Sequence, residues 1–145
     1  MSTVLAVRNL LRGWNNLPLG SRRFDLEWER FQPRSSQGIQ GCWTGKWKSY
    51  ETRKEIPLKC ILTRIAPATY LGTFSTKYFD LIAVSYEVQF RVVENRNHFT
   101  LEGAADLGRF AGGVHHFKGM ATPASLVCEY HSPKDEGEMH LGRLP

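Results

Sequence analysis

The chain has 145 residues, 41% hydrophobic and 12% aromatic, with a formal net charge of +5 at neutral pH. This length supports one domain with a genuine core, and this composition excludes a disordered or collagen-like chain. The basic residues, among them Arg8, Arg12, Arg22, Arg23, Lys46, Lys48, Arg53, Lys54 and Lys59, are scattered and interleaved with acids, which is the pattern of solvated surface, so no nucleic-acid partner is expected.

At the N-terminus, "MSTVLAVRNLLRGW" lacks a basic leader region, and Arg8 and Asn9 interrupt its apolar stretch. It does not read as a secretion signal, and a cytoplasmic location is expected. No apolar run reaches the roughly 20 residues of a spanning helix, so integral membrane association is not expected. Val4, Leu5, Val7, Leu10 and Leu11 recur at helical spacing, with Arg8 and Arg12 on another face. A short amphipathic helix is predicted there, one that packs on the body of the protein or makes peripheral membrane contact. Gly13 and the "LPLG" at Leu17 to Gly20 should end it. A second apolar set, Phe24, Leu26, Trp28 and Phe31, fits either a helix turn or a strand. The loop from Pro33 to Gly38 then divides a partly helical extension, residues 1–40, from a main domain, residues 41–145.

From Gly41 onward the hydrophobic period is two. In "IAVSYEVQFRV", Ile82, Val84, Tyr86, Val88, Phe90 and Val92 alternate with Ala83, Ser85, Glu87, Gln89 and Arg91, as in a long strand with one dry face. Turn chemistry divides the domain into eight such runs: Cys42 to Tyr50, Leu58 to Ile65, Thr69 to Tyr78, Leu81 to Val93, His98 to Asp106, Val114 to Thr122, Ser125 to Ser132 and Glu138 to Leu144. The linkers between them are too short for a crossover helix, so successive strands should pair antiparallel. A meander of this length removes its exposed edges by closing. The predicted fold is therefore all-β, an eight-stranded antiparallel up-and-down β-barrel with a short N-terminal helical extension.

Alternation assigns Trp43, Gly45 and Trp47, then Leu58, Cys60, Leu62 and Arg64, to the interior, and the later strands follow the same rule. Up-and-down connectivity brings Trp43, Arg64, Tyr70 and Arg143 to one end, where Arg143 can reach Trp43 and plug the barrel. The other end gathers Ser49, Tyr50, Tyr78, Asp106, His115, Ser132 and the loop "GRFAGG", an open mouth suited to binding. Inward Gly45, Gly72, Gly103 and Gly119 either make space or permit strand coiling. The three cysteines, Cys42, Cys60 and Cys128, lack zinc-site spacing and are expected to be reduced thiols.

The Gly41-x-Trp43 opening, together with Arg143 near the end of the last strand, resembles the lipocalin and avidin type of barrel, the calycin group. The wider pattern "GxWxGxW … DLGxxAGGV … GxATP" is similar to a set of uncharacterised bacterial proteins. The calycin resemblance implies that Trp43 and Arg143 form the barrel floor and do not touch ligand. Gly41, Trp43, Gly45 and His115 also loosely resemble nitrobindin-like haem barrels, and that likeness implies haem as a possible cofactor through His115.

Read for chemistry, "VHHFKG" places His115 inward and His116 outward, and an imidazole titrates near neutrality. His115 and Asp106 flank one hairpin and are the candidate acid/base pair for catalysis. His98, His131 and His140 are dispersed, and no metal site is expected. Trp47, Tyr78, Tyr86, His115, Phe117 and Tyr130 are the candidate ligand-binding residues, a mostly aromatic lining for a small apolar or aromatic molecule. The leading expectation is non-catalytic binding of such a molecule in the interior. The alternatives are a haem-binding barrel, a small cavity enzyme using His115, and an interaction module with a filled core.

Overall fold

A computed structural model of the chain describes residues 17–31, 38–78, 82–107 and 113–145. The amphipathic segment Val4 to Leu11 and most of the "GRFAGG" loop lie outside the described residues. The elements are one helix, α1 (Leu17–Arg30), and eight strands: β1 (Gly41–Ser49), β2 (Glu55–Ala66), β3 (Thr69–Tyr78), β4 (Ile82–Asn95), β5 (His98–Asp106), β6 (Val114–Ala121), β7 (Ser125–His131) and β8 (Glu136–Arg143). Each strand pairs antiparallel with the next, and β8 pairs with β1 to close an eight-stranded barrel in up-and-down order. The predicted fold class is the observed one.

Closure is centred on one cross-strand pair, Trp43 opposite Arg143. Trp43 is completely buried, and its indole N–H donates to the Ile39 carbonyl at 3.0 Å. The Arg143 guanidinium donates to the Gly38 carbonyl at 3.0 Å and to the Gln40 carbonyl, tying the incoming segment across the bottom of the barrel with Ile39 buried above it. Gly41 makes this approach possible. Its φ is +150°, and a Cβ there would lie 3.1 Å from Arg143 Nε.

Above this floor the lumen is filled by Leu58, Cys60, Leu62, Tyr70, Phe74, Phe90, Phe99, Leu101 and Met139, all buried. The inward glycines do not create space. Phe90 and Phe74 cover Gly72 at 2.8 and 2.9 Å from where a Cβ would stand, and a Cβ on Gly45 would strike the His140 carbonyl. They permit close coiling of neighbouring strands instead. Buried Cys60 and Cys128 are free thiols on non-adjacent strands, and desolvation pushes Cys128 up to about 12. The outer wall carries exposed Lys46, Lys59, Glu87, Arg91, Glu102, Lys118 and Glu129, with Lys46–Glu55 and Arg91–Glu102 ion pairs at 3.7 and 3.6 Å. A lipid-facing barrel wall is apolar, so this exterior suits water. Among the described residues, no helix is long and apolar enough to cross a membrane.

Three expectations need correction. Leu17 to Gly20 begin α1 rather than ending a helix, because Pro18 falls in the first turn, where its missing N–H and fixed φ are tolerated. Phe24 and Trp28 are therefore helical, stacked at 5.8 Å, and α1 packs against β3 and β4 with Lys59 over the Trp28 ring. Secondly, β2 starts at Glu55 and runs through Pro57, which lay in a predicted linker. The Pro57 carbonyl accepts the Thr76 hydroxyl at 2.7 Å, so it keeps a partner on β3 although proline has no N–H to give to the ladder. Thirdly, Arg64 is exposed rather than buried: it still lies opposite Tyr70, but at the floor end of β2, where its guanidinium donates to the Pro67 carbonyl.

The floor should dominate stability. Trp43→Ala is expected to cost about 3–5 kcal/mol through the cavity it leaves. Arg143→Ala should cost about 2 kcal/mol by stranding the Gly38 and Gln40 carbonyls. Arg143→Lys should recover less than half of that loss, because an ammonium cannot span two acceptors as a planar fork does. Urea unfolding monitored by tryptophan fluorescence measures all three, and full recovery by lysine would contradict the two-carbonyl role.

Candidate functional site

The mouth is built where β1, β6, β7 and β8 end opposite the floor. Its central ring is Tyr130 on β7, which lies edge-on to Trp47 (centroids 6.1 Å, 76°) and tilted against His115 (6.3 Å, 31°). Phe117 lies opposite Tyr130 across β6 and β7 and stacks with His115 at 6.4 Å. Trp47, Phe117, His115 and Tyr130 therefore converge. Tyr86 lies deeper, stacked on Phe74 at 5.1 Å and 14°. The backbone of Tyr78 pairs with Ile82 at the end of β3, and its side chain lies outside what the structure describes.

Tyr86 has an informative environment. Desolvation holds its phenol well above the ordinary range, so protein surrounds it. Yet its ring, like Trp47 and Ala105, is only partly buried against the core. Deep side chains that retain accessible surface border unfilled space. The floor half of the lumen holds fully buried side chains, whereas Trp47, Tyr86 and Ala105 keep some accessible surface. Among the described residues, no hydrogen-bond partner meets the Tyr86 hydroxyl.

A polar network lies across the rim. The Asp135 carboxylate accepts the Ser49 hydroxyl at 2.7 Å on Oδ1 and the Tyr130 hydroxyl at 3.0 Å on Oδ2. Its position is fixed by the β7–β8 turn, where Ser132 Oγ accepts the Asp135 N–H at 3.1 Å and the Ser132 N–H donates to the Asp135 carbonyl at 2.8 Å. Ser49 and Ser132 are almost fully buried. Burial and the adjacent Asp135 charge both push the Tyr130 phenol upward, so it stays a protonated donor. Gly137 leaves room for that hydroxyl. A Cβ there would meet Tyr130 Oη at 2.5 Å and overlap the Lys48 carbonyl.

His115 is 8% exposed, and its Nδ1 lies 3.1 Å from the Gly113 carbonyl. A carbonyl only accepts, so Nδ1 carries the proton. Desolvation lowers the imidazole pKa, with the Gly113 bond and Asp135 opposing in part. His115 is therefore neutral at pH 7, with an unprotonated Nε2.

Asp106 does not join His115. The β5–β6 register sets Ala105 opposite His115 and Asp106 opposite Val114, so Asp106 lies on the outer face and is exposed. One residue of register separates the two faces of a sheet. The carboxylate that acts on His115 is Asp135, from a turn that read only as a linker; its one sequence signal is the Ser132-x-x-Asp135 spacing of a side-chain-capped turn. Among the described residues, no cluster of three histidine, cysteine or acidic side chains is arranged to hold a metal ion. A groove of about 750 Å3 also runs along the outer wall beside Arg91, Glu102, Lys118 and Glu129, but those side chains project from the face opposite the lumen.

No family model matches the sequence, and no curated protein matches it. Solved structures do. A designed fluorescence-activating β-barrel is 16% identical over 78% of this chain and all of its own, with a TM-score of 0.51. A redesigned β-barrel, mFAP1, bound to DFHBI, is 10% identical over 77% of this chain and 99% of its own, with a TM-score of 0.55. A further redesigned β-barrel is 11% identical over 77% of this chain and 96% of its own, with a TM-score of 0.57. At these identities the likeness is one of fold.

The depressed His115 pKa gives stability a pH dependence with a definite sign. The unfolded imidazole takes its proton near pH 6.5, whereas the folded one takes it only at lower pH. Below about pH 6.5 the unfolded state binds more protons, so stability present above that pH is lost as pH falls toward the folded pKa. His115→Gln should flatten this part of the profile in urea titrations between pH 7.5 and pH 5, values chosen around the reference pKa of about 6.5. An unchanged slope would place His115 in solvent.

Proposed function

We propose that the protein is a calycin-type barrel that holds a small apolar or aromatic molecule in the mouth half of its lumen without altering it chemically. The barrel domain is residues 41–145, residues 1–40 are its extension, and its place is the cytoplasm, where Cys42, Cys60 and Cys128 stay reduced. The observation that carries the reading is the division of the lumen: Trp43, Phe90, Phe99 and Leu101 fill the floor half, while Trp47, Tyr86 and Ala105 keep accessible surface above them. Small-molecule sites combine an apolar, mostly preformed cavity with a few placed polar groups, here Ser49, His115, Tyr130 and Asp135. The similarity to mFAP1, a barrel bound to DFHBI, supports the same use of the shape. Titration with the neutral probe N-phenylnaphthylamine should show saturable binding with a fluorescence rise. Trp47→Ala should weaken it about tenfold, roughly 1.4 kcal/mol, while Val127→Ser on the outer wall leaves it unchanged. Equal loss in both variants would move the site to the exterior, and no saturable signal would remove it.

One observation favours a second reading, His115 as an axial ligand to haem iron. Its Nδ1–H bond to the Gly113 carbonyl leaves Nε2 as the lone pair, which is how iron-ligating imidazoles are held. Hemin titration should then give a Soret band that disappears in His115→Ala. No band at saturating hemin eliminates haem.

A further inference from the structure

Resting on the reading of the mouth as a small-molecule site, the hydrogen-bond directions at the rim specify which polar group a ligand must carry there. Every donor in the rim network is already committed. Ser49 and Tyr130 give their hydroxyl hydrogens to Asp135, Ser132 gives its own to the Asp135 carbonyl, and Thr76 bonds the Pro57 carbonyl. The His115 Nδ1–H is held by Gly113. The uncommitted polar atoms of these groups are acceptors: the remaining lone pairs of Asp135, the phenolic oxygen of Tyr130 and Nε2 of His115. Asp135 is also the charge that acts on both His115 and Tyr130. This cluster therefore carries the one carboxylate of Asp135 and hydroxyls whose hydrogens are already given, beside the rings of Trp47 and Tyr130.

We infer that the mouth selects by charge, binding an aromatic molecule whose outer end is a protonated amine and rejecting one that ends in a carboxylate. An ammonium has three donors and no acceptor, the complement of this rim. It also gains from the faces of Trp47 and Tyr130. A carboxylate brings only acceptors and would face Asp135 at short range, where the hydroxyl hydrogens of Ser49, Tyr130 and Ser132 are already given away. The aromatic body takes the space beside Tyr86 and Trp47 in either case, so affinity for the ring and preference at its polar end are separable properties.

The test is calorimetric titration of the full chain at pH 7 with three probes of one shape: naphthylethylamine, naphthylethanol and naphthylacetate. The amine should bind most tightly and exceed the carboxylate by about tenfold or more. In Asp135→Asn that advantage should shrink to about twofold, with the alcohol little changed. Asparagine also brings an NH2 donor to the rim, so Tyr130→Phe provides an independent check. It keeps the carboxylate and frees Oδ2, and the amine preference should persist or grow. Carboxylate binding as tight as amine binding overturns the inference, as does a tenfold preference that survives Asp135→Asn. If the alcohol binds and the amine gains nothing over it, charge selection fails while the lumen site stands. If none of the three binds, the lumen site fails and charge selection with it.

Discussion

The structure depends on the meeting of its two ends. Antiparallel strands form a sheet with two exposed edges unless the last pairs with the first, and here that pairing begins at Trp43 opposite Arg143. The contact does more than close a ladder. Arg143 reaches past the ladder to the carbonyls of Gly38 and Gln40, and Trp43 reaches the carbonyl of Ile39, so three consecutive backbone acceptors below the barrel are bonded from within. An unsatisfied buried carbonyl is costly, so the segment entering β1 becomes part of the floor rather than a loose connection. With the bottom sealed, rings can fill the lumen from there upward, and any unfilled space is displaced to the opposite end.

That end has a different character because the strands leave it through turns, not through a tied segment. The Ser132 to Asp135 turn is rigid for local reasons, its backbone and hydroxyl bonds closing on each other. Rigidity there holds one carboxylate over the lumen, where it captures two hydroxyls from two strands. A network of this kind ties β1 to β7 at the rim as Trp43 and Arg143 tie β1 to β8 at the floor. It also commits the hydroxyl hydrogens of Ser49 and Tyr130 to one carboxylate.

Period-two alternation made the strands, their order and their inward faces legible, because a half-buried strand must alternate and short linkers allow only antiparallel neighbours. Where local chemistry competed, the reading failed. Pro57 fell in a predicted linker, but β2 runs through it, and its carbonyl accepts the hydroxyl of Thr76, 19 positions away. Pro18 looked like a stop, but proline at the start of a helix is an ordinary first-turn residue. Arg64 keeps the register that alternation assigns, opposite Tyr70, but it stands near the end of its strand and is exposed there. The floor was legible from Trp43 and Arg143. The mouth was half legible: the aromatic set followed from alternation, but Asp106 was paired with His115 on sequence proximity alone. Asp135 was invisible because its role depends on a turn folding back over a rim built from other strands.

The hydrogen-bond directions also bear on what the mouth does. A hydrolase of the serine type needs a hydroxyl whose hydrogen points at a base. Ser49 instead donates to Asp135, which also receives Tyr130, and the His115 proton is fixed on the nitrogen that faces Gly113. These groups hold one another in place and do not form a relay from nucleophile to base to orienting acid. Such an arrangement holds its protons in place and keeps a fixed set of acceptors, which fits the proposed role of holding a ligand without altering it. Under the proposed reading, a lumen filled from below would give a ligand one depth, with Trp47, Tyr86 and Tyr130 as its aromatic walls.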